Sequence, residues 1–130
     1  MSDRDEAPAP QDPDDIVDLL CDLTTDERTL VSSSSDGTVV RWDLARGRVA
    51  RRWALSQRAV YAVTVDPTGT WTAAGGEDGR VHLLRGRDRE AVARRKVSEH
   101  TVFALDWRPG RPAFAWSGAR GKAGLLRVVR

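Results

Sequence analysis

The stretch SSSSDGTVVRWDLARGRV, residues 32–49, decides the fold. A polar run meets Asp36-Gly37, a pair suited to a tight turn because glycine accepts positive φ and aspartate bonds its own backbone. Alternation follows through Thr38–Trp42, the period of a strand with one buried face. Trp42-Asp43 closes that strand, and Ala45-Arg46-Gly47 turns the chain again.

The same unit returns along the chain. Asp36-Gly37 recurs as Asp78-Gly79 and as Arg120-Gly121, 42 residues apart each time. Asp66-Pro67 recurs as Arg108-Pro109, and Trp42, Leu84 and Leu126 share one column. A fixed period of this size indicates stacked supersecondary units rather than one irregular globule. Within the first unit the expected strands are 17–23, 29–34, 38–42 and 48–53. In the second they are 59–65, 71–75, 80–84 and 91–95, and in the third 101–107, 113–117 and 123–129. Gly, Pro and β-branched residues interrupt every helical window beyond Asp18, so the expected class is all-β, built of antiparallel four-stranded meanders.

The formal charge of +2 hides a division. Residues 1–27 carry ten acidic side chains and one arginine, a net of −9; residues 28–130 carry 20 basic and nine acidic side chains, a net of +11. Residues 1–15, with Pro8, Pro10 and Pro13 and no large apolar side chain after Met1, are expected to be a disordered acidic tail. No run of 18 apolar residues is present and the first residues are acidic, which argues against a membrane-spanning helix or a secretory leader. A single cysteine, Cys21, and two separated histidines make neither an internal disulfide nor a zinc site. A reducing cytoplasm is the expected location.

TLVSSSSDGTVVRWDLARGRV, VYAVTVDPTGTWTAAGGEDGRVHLL and VFALDWRPGRPAFAWSGARGKAGLLRVV together resemble WD repeats, the blades of a β-propeller. The resemblance covers about residues 16–130 and implies a partial propeller with blades at about 16–55, 56–97 and 98–130, the last lacking its outer strand. Asp36, Gly37, Trp42, Asp43, Asp78 and Gly79 are the structural positions of the motif. Only the first unit keeps Trp-Asp; the others read Leu84-Arg85 and Leu126-Arg127, and no Gly-His pair precedes a first strand. The family's His–Asp–Ser–Trp hydrogen-bond network is therefore not expected to be complete in any blade. Closed propellers use about four to eight blades. Three leave the end faces without partners, and the expected uncovered face is rich in Val, Leu and Trp.

No catalytic constellation is visible. GARGKAG (118–124) has two residues between its first glycines where a phosphate loop needs four, and Ala123 follows Lys122. The aspartates fall in turns with no nucleophile or histidine at a matching spacing. The expectation is no enzymatic activity, no cofactor and no metal.

WD-repeat proteins act as rigid scaffolds that hold other proteins, so the resemblance implies an interaction module completed by self-association or by a protein partner. Arg58, Tyr61, His100 and Phe103, which precede or open first strands, are the candidate partner contacts. Arg51, Arg52, Arg94, Arg95 and Lys96 form an expected basic belt on the outer strands. That belt raises a second reading, electrostatic nucleic-acid binding, although no stacking platform accompanies it and nucleic acid is not the expected partner. A third reading is a truncated or split piece of a larger repeat protein, such as the sensing end of a multidomain ATPase.

Overall fold

Short alternating segments broken by Gly, Pro and Asp favour meanders because each turn returns the chain beside itself before a helix can nucleate. The computed structural model describes residues 20–23, 27–86, 88–108 and 112–128, so the expected tail lies outside it. Among the described residues are eleven strands. The first blade holds β1 (Leu20–Leu23), β2 (Thr29–Ser33), β3 (Thr38–Asp43) and β4 (Arg48–Ala54). The second holds β5 (Val60–Val65), β6 (Trp71–Gly76), β7 (Arg80–Arg85) and β8 (Ala93–Lys96). The third holds β9 (Val102–Trp107), β10 (Ala113–Gly118) and β11 (Ala123–Arg127). Strands pair antiparallel in chain order within each sheet, giving two four-stranded sheets and one of three.

The turns behave as their residues require. Thr38 N–H donates to Asp36 Oδ1 (3.0 Å) and Arg80 N–H to Asp78 Oδ1 (2.9 Å). Gly37 and Gly79, at φ 87° and 72°, supply the left-handed step that follows. In the third blade the corresponding turn is a single 3-10 turn at Ala119–Gly121, with Arg120 itself at φ 63°. The fourth strand of the second blade begins two residues later than the alternation predicts. The intervening loop is held by Asp88, whose N–H donates to the Arg85 carbonyl (2.9 Å) and whose carboxylate accepts from Arg85 Nε (3.0 Å).

The sheets stack face to face, with β5 touching β1 and β2 on one side and β9 on the other. Two apolar cores fill the gaps. Val31, Val39 and Trp53 of blade 1 meet Val60, Val63, Val65, Ala74 and Leu84 of blade 2. Trp71, Ala73 and Val81 of blade 2 meet Trp107, Phe114 and Val128 at blade 3. The outer face of blade 3 corrects one expectation. Trp107 and Phe114 point inward, and the uncovered side shows Ala104, Asp106, Ala115, Ser117, Ala123 and Leu125, all exposed. Strand alternation places the bulky residues on the covered side and small ones on the other.

Candidate functional site

The candidate contact residues occupy equivalent places in successive blades. Arg58 and His100 end the loops that lead into β5 and β9, and each loop is closed by a serine. Arg58 N–H donates to Ser56 Oγ (2.9 Å) and His100 N–H to Ser98 Oγ (3.0 Å). Two residues into each inner strand the pairing slips. The register shifts between Val60 and Ala62 opposite β6, and β10 pairs Gly118 with Val102 but Ser117 with Ala104. Such bulges re-aim the extra residue. Here they release Tyr61 and Phe103 from the blade cores and bring their rings together, centroids 5.9 Å apart and tilted by 35°. Tyr61 is half-buried and Phe103 is 54% exposed, so the pair is a surface feature. It lies at the end of the sheets where the β2–β3 and β6–β7 turns emerge, since Val60 N–H donates to the Ser34 carbonyl and Glu77 N–H to the Ala59 carbonyl.

The basic belt does not form one stripe. Consecutive strand residues point to opposite faces, so Arg51 and Arg52 diverge in β4, as do Arg94 and Arg95 in β8. Arg94 pairs in register with His82, and Lys96 with Arg80. Those four share the face of blade 2 turned toward blade 1, whereas Arg95, opposite Val81, faces blade 3. With Arg58 they line a cleft of about 530 Å3 between blades 1 and 2. Arg80 and His82 belong to this cleft and were missed from the sequence. The alternation of Arg80-Val81-His82 against Arg94-Arg95-Lys96 is the signal that could have placed them.

His82 is 3% exposed, at the column occupied by Val40 in blade 1 and Gly124 in blade 3. Its Nε2 lies 3.2 Å from Asp78 Oδ2, and because an ionised carboxylate only accepts, Nε2 is the donor. Burial pushes the imidazole below its ordinary value; Asp78 pulls it back, and Arg94 and Arg80 push it lower again. Part of the propeller network survives in blade 1, where Trp42 Nε1 donates to Ser32 Oγ (3.1 Å). Asp36 turns instead to Thr38, whose hydroxyl (2.6 Å) and N–H hold its carboxyl below the ordinary value. Asp43 binds Arg46 (2.7 Å). In blade 2 the aspartate's histidine comes from the third strand rather than from ahead of the first.

Residues 15–43 and 52–83 match the model of the WD domain, G-beta repeat. The first two units are WD repeats. The fold agrees, for the Cps50 (Swd1) β-propeller domain of Myceliophteria thermophila superposes with a TM-score of 0.75 at 19% identity, over 88% of this chain and 39% of that one. A chain of the Mitotic Checkpoint Complex superposes with a TM-score of 0.68, also at 19% identity, over 76% of this chain and 30% of its own. Among curated proteins, the ribosome biogenesis protein ERB1 of Chaetomium globosum is 43% identical over 72 residues, 53% of this chain. That of Coccidioides immitis is 40% identical over 73 residues. The aligned segments span only 9% and 8% of those two proteins.

Proposed function

We propose that this chain is a non-catalytic protein-binding module of WD repeats and that its partner docks on the end bearing Arg58, Tyr61, His100 and Phe103. The observation that carries this is the Tyr61–Phe103 pair, two aromatic rings placed at a surface by matching bulges in adjacent inner strands. Tyrosine and arginine are among the residue types enriched where protein interfaces concentrate their binding energy. The likeness to ERB1 supports shared blades, and its small share of those proteins leaves the partner to be identified by experiment.

Further blades are part of the same proposal. The uncovered side of blade 3 repeats the side of blade 2 that blade 3 covers: Ala62, Ala73 and Leu83 answer to Ala104, Ala115 and Leu125. A surface built on that template suits another blade, from a second copy or from a partner. The splitting of the arginines between faces weighs against a continuous track for nucleic-acid phosphates.

The test is affinity purification from the native cells with wild type, the double variant Tyr61→Ser/Phe103→Ser, and Leu44→Ser as control. Leu44 is exposed in the β3–β4 turn at the other end. Loss of two aromatic anchors should weaken a partner by about 30-fold or more, while Leu44→Ser leaves recovery unchanged. Equal recovery with the double variant removes the proposed contact surface. Sedimentation at micromolar concentration checks the added blades, with a lone 14.4 kDa species counting against self-completion.

A further inference from the structure

The cleft between blades 1 and 2 collects positive charge that the described residues do not answer. Arg58 enters it from the loop before β5, Arg80 from the start of β7, and Arg94 and Lys96 from β8. All four are exposed. Asp78, the acid among its lining residues, is already engaged: one carboxylate oxygen accepts from the Arg80 N–H and the other from His82. Lys96 has Glu99 at 3.4 Å, but no ion pair is formed among the described residues by Arg58, Arg80 or Arg94. Across the next seam the columns of Arg58 and Arg80 hold His100 and Lys122.

Like charges gathered in a concave site raise the local potential and recruit an anion. The chain carries one close by. Residues 1–19 hold seven acidic side chains and Arg4, a net of −6, with Asp12, Asp14, Asp15 and Asp18 nearest to β1. Leu20 pairs with Ser33, so β1 begins at the end of blade 1 where the Ser34–Gly37 turn lies. That turn is packed on the cleft's own wall: Leu55 N–H donates to the Gly37 carbonyl (2.9 Å), and a β-carbon on Gly37 would stand 1.8 Å from the Ser56 carbonyl oxygen. Asp12 to Asp18 lie two to eight residues from Leu20, a reach of roughly 7–28 Å when extended. Neighbouring strands are about 5 Å apart and stacked sheets about 10 Å. A tether this short gives an effective concentration on the order of millimolar, ahead of a free competitor.

We propose that residues 1–19 dock through Asp12, Asp14, Asp15 and Asp18 into the cleft lined by Arg58, Arg80, Arg94 and Lys96, so that the chain occupies its own anion-binding site. The lining has no exposed aromatic residue on which a base could stack, which favours an acidic polypeptide over a nucleic acid. The cleft shares Arg58 with the aromatic contact surface, but docking of residues 1–19 needs neither Tyr61 nor Phe103.

The 130-residue chain supplies a direct test, because its two lysines are Lys96 in the cleft and Lys122 in the third blade. Carbodiimide coupling at low salt should join Lys96 to one of Asp12–Asp18 and leave Lys122 unlinked. In an equal mixture of 15N-labelled and unlabelled protein, the link should stay within one isotope. Arg58→Glu/Arg94→Glu, at exposed positions, should cut its yield at least tenfold, as should 0.5 M salt, where the Debye length falls to about 4 Å. Links to Lys122 in equal yield, links between isotopes, or no link from Lys96 to residues 12–18 overturn the proposal. A second arm needs no arginine variant. The 130-residue Asp12/Asp14/Asp15/Asp18→Asn chain should bind a labelled octa-aspartate peptide at least tenfold more tightly than wild type at low salt. Equal affinity overturns the proposal, and so does binding of a dT20 oligonucleotide in place of the peptide.

Discussion

The two seams between blades are filled in different ways. Between blades 1 and 2 the outer strand takes part, because Trp53 of β4 turns inward, is 2% exposed, and donates from Nε1 to the Asp88 carbonyl (3.0 Å). Between blades 2 and 3 the same column holds Arg95, which is exposed. There the aromatic filling comes from further in, as Trp107 and Phe114 stack with centroids 5.6 Å apart. Toward the outside that seam stays open as a groove of about 940 Å3 along Leu83, Val92, Ala93 and Val128. A repeat that keeps its strands in register can thus place its bulky side chain at different depths, because what each seam must conserve is filled volume, not a particular residue.

The seam between blades 1 and 2 is the more easily broken. Trp53→Ala removes a fully buried indole and leaves the Asp88 carbonyl without its donor, which should cost about 3–5 kcal/mol in urea unfolding. Arg95→Ala, in the same column of blade 2, should stay within about 0.5 kcal/mol, the range of exposed substitutions. Similar losses at both positions would mean that the seams share one packing scheme after all.

The contrast also marks what the sequence made legible. Strand positions were readable because the two-residue period and the Asp-Gly turns are local signals: all eleven strands fall within the expected segments to within a few residues. Face assignment was not, since it depends on register. Arg94 and Arg95 look alike in the chain, yet one faces His82 and the other Val81 across the ladder. The bulges at Tyr61 and Phe103 leave no mark in composition, so the sequence placed the pair in one column without showing whether it was core or surface. The sequence led to an exposed face rich in Val, Leu and Trp, and a one-residue parity puts Trp107 and Trp116 on the covered side instead.

The turn glycines Gly37, Gly79 and Gly121, which share one column, also differ between seams. All three have positive φ. In the first two, a β-carbon would meet the next blade's entry loop, at 1.8 Å from the Ser56 carbonyl oxygen and 2.1 Å from that of Ser98; at Gly121 nothing lies within 4 Å. Gly121→Ala should therefore cost only the left-handed conformation, about 1–2 kcal/mol. Gly79→Ala should cost about 3 kcal/mol, because the Ser98 backbone must also move. Equal losses in thermal or urea unfolding would show that the entry loop does not press on the turn.

The smallest effect separates the seams by pH. Only the seam between blades 1 and 2 buries a histidine, and the charged groups around it are Asp78 and Arg80 on its own hairpin, Arg94 on β8, and Arg89 and Glu90 in the loop before β8. β4 contributes the uncharged Trp53 and Ala54, followed by Leu55. Because the folded imidazole titrates below its ordinary 6.5, the unfolded chain binds the proton first as pH falls. Stability is then complete above about pH 7 and declines as pH drops from 6.5 toward the folded value, by at most about 1.4 kcal/mol per pH unit. The lowered Asp36 carboxyl acts in a separate window: its contribution is present above 3.8 and is lost only on further acidification. His82→Val, which copies Val40 of blade 1, should remove the decline between pH 7 and 5.5 while leaving the acid limb below pH 4 in place. If urea midpoints of the variant and wild type fall in parallel over pH 7 to 5.5, the titrating group sits elsewhere and His82 is a neutral strand residue at every pH that matters to the fold.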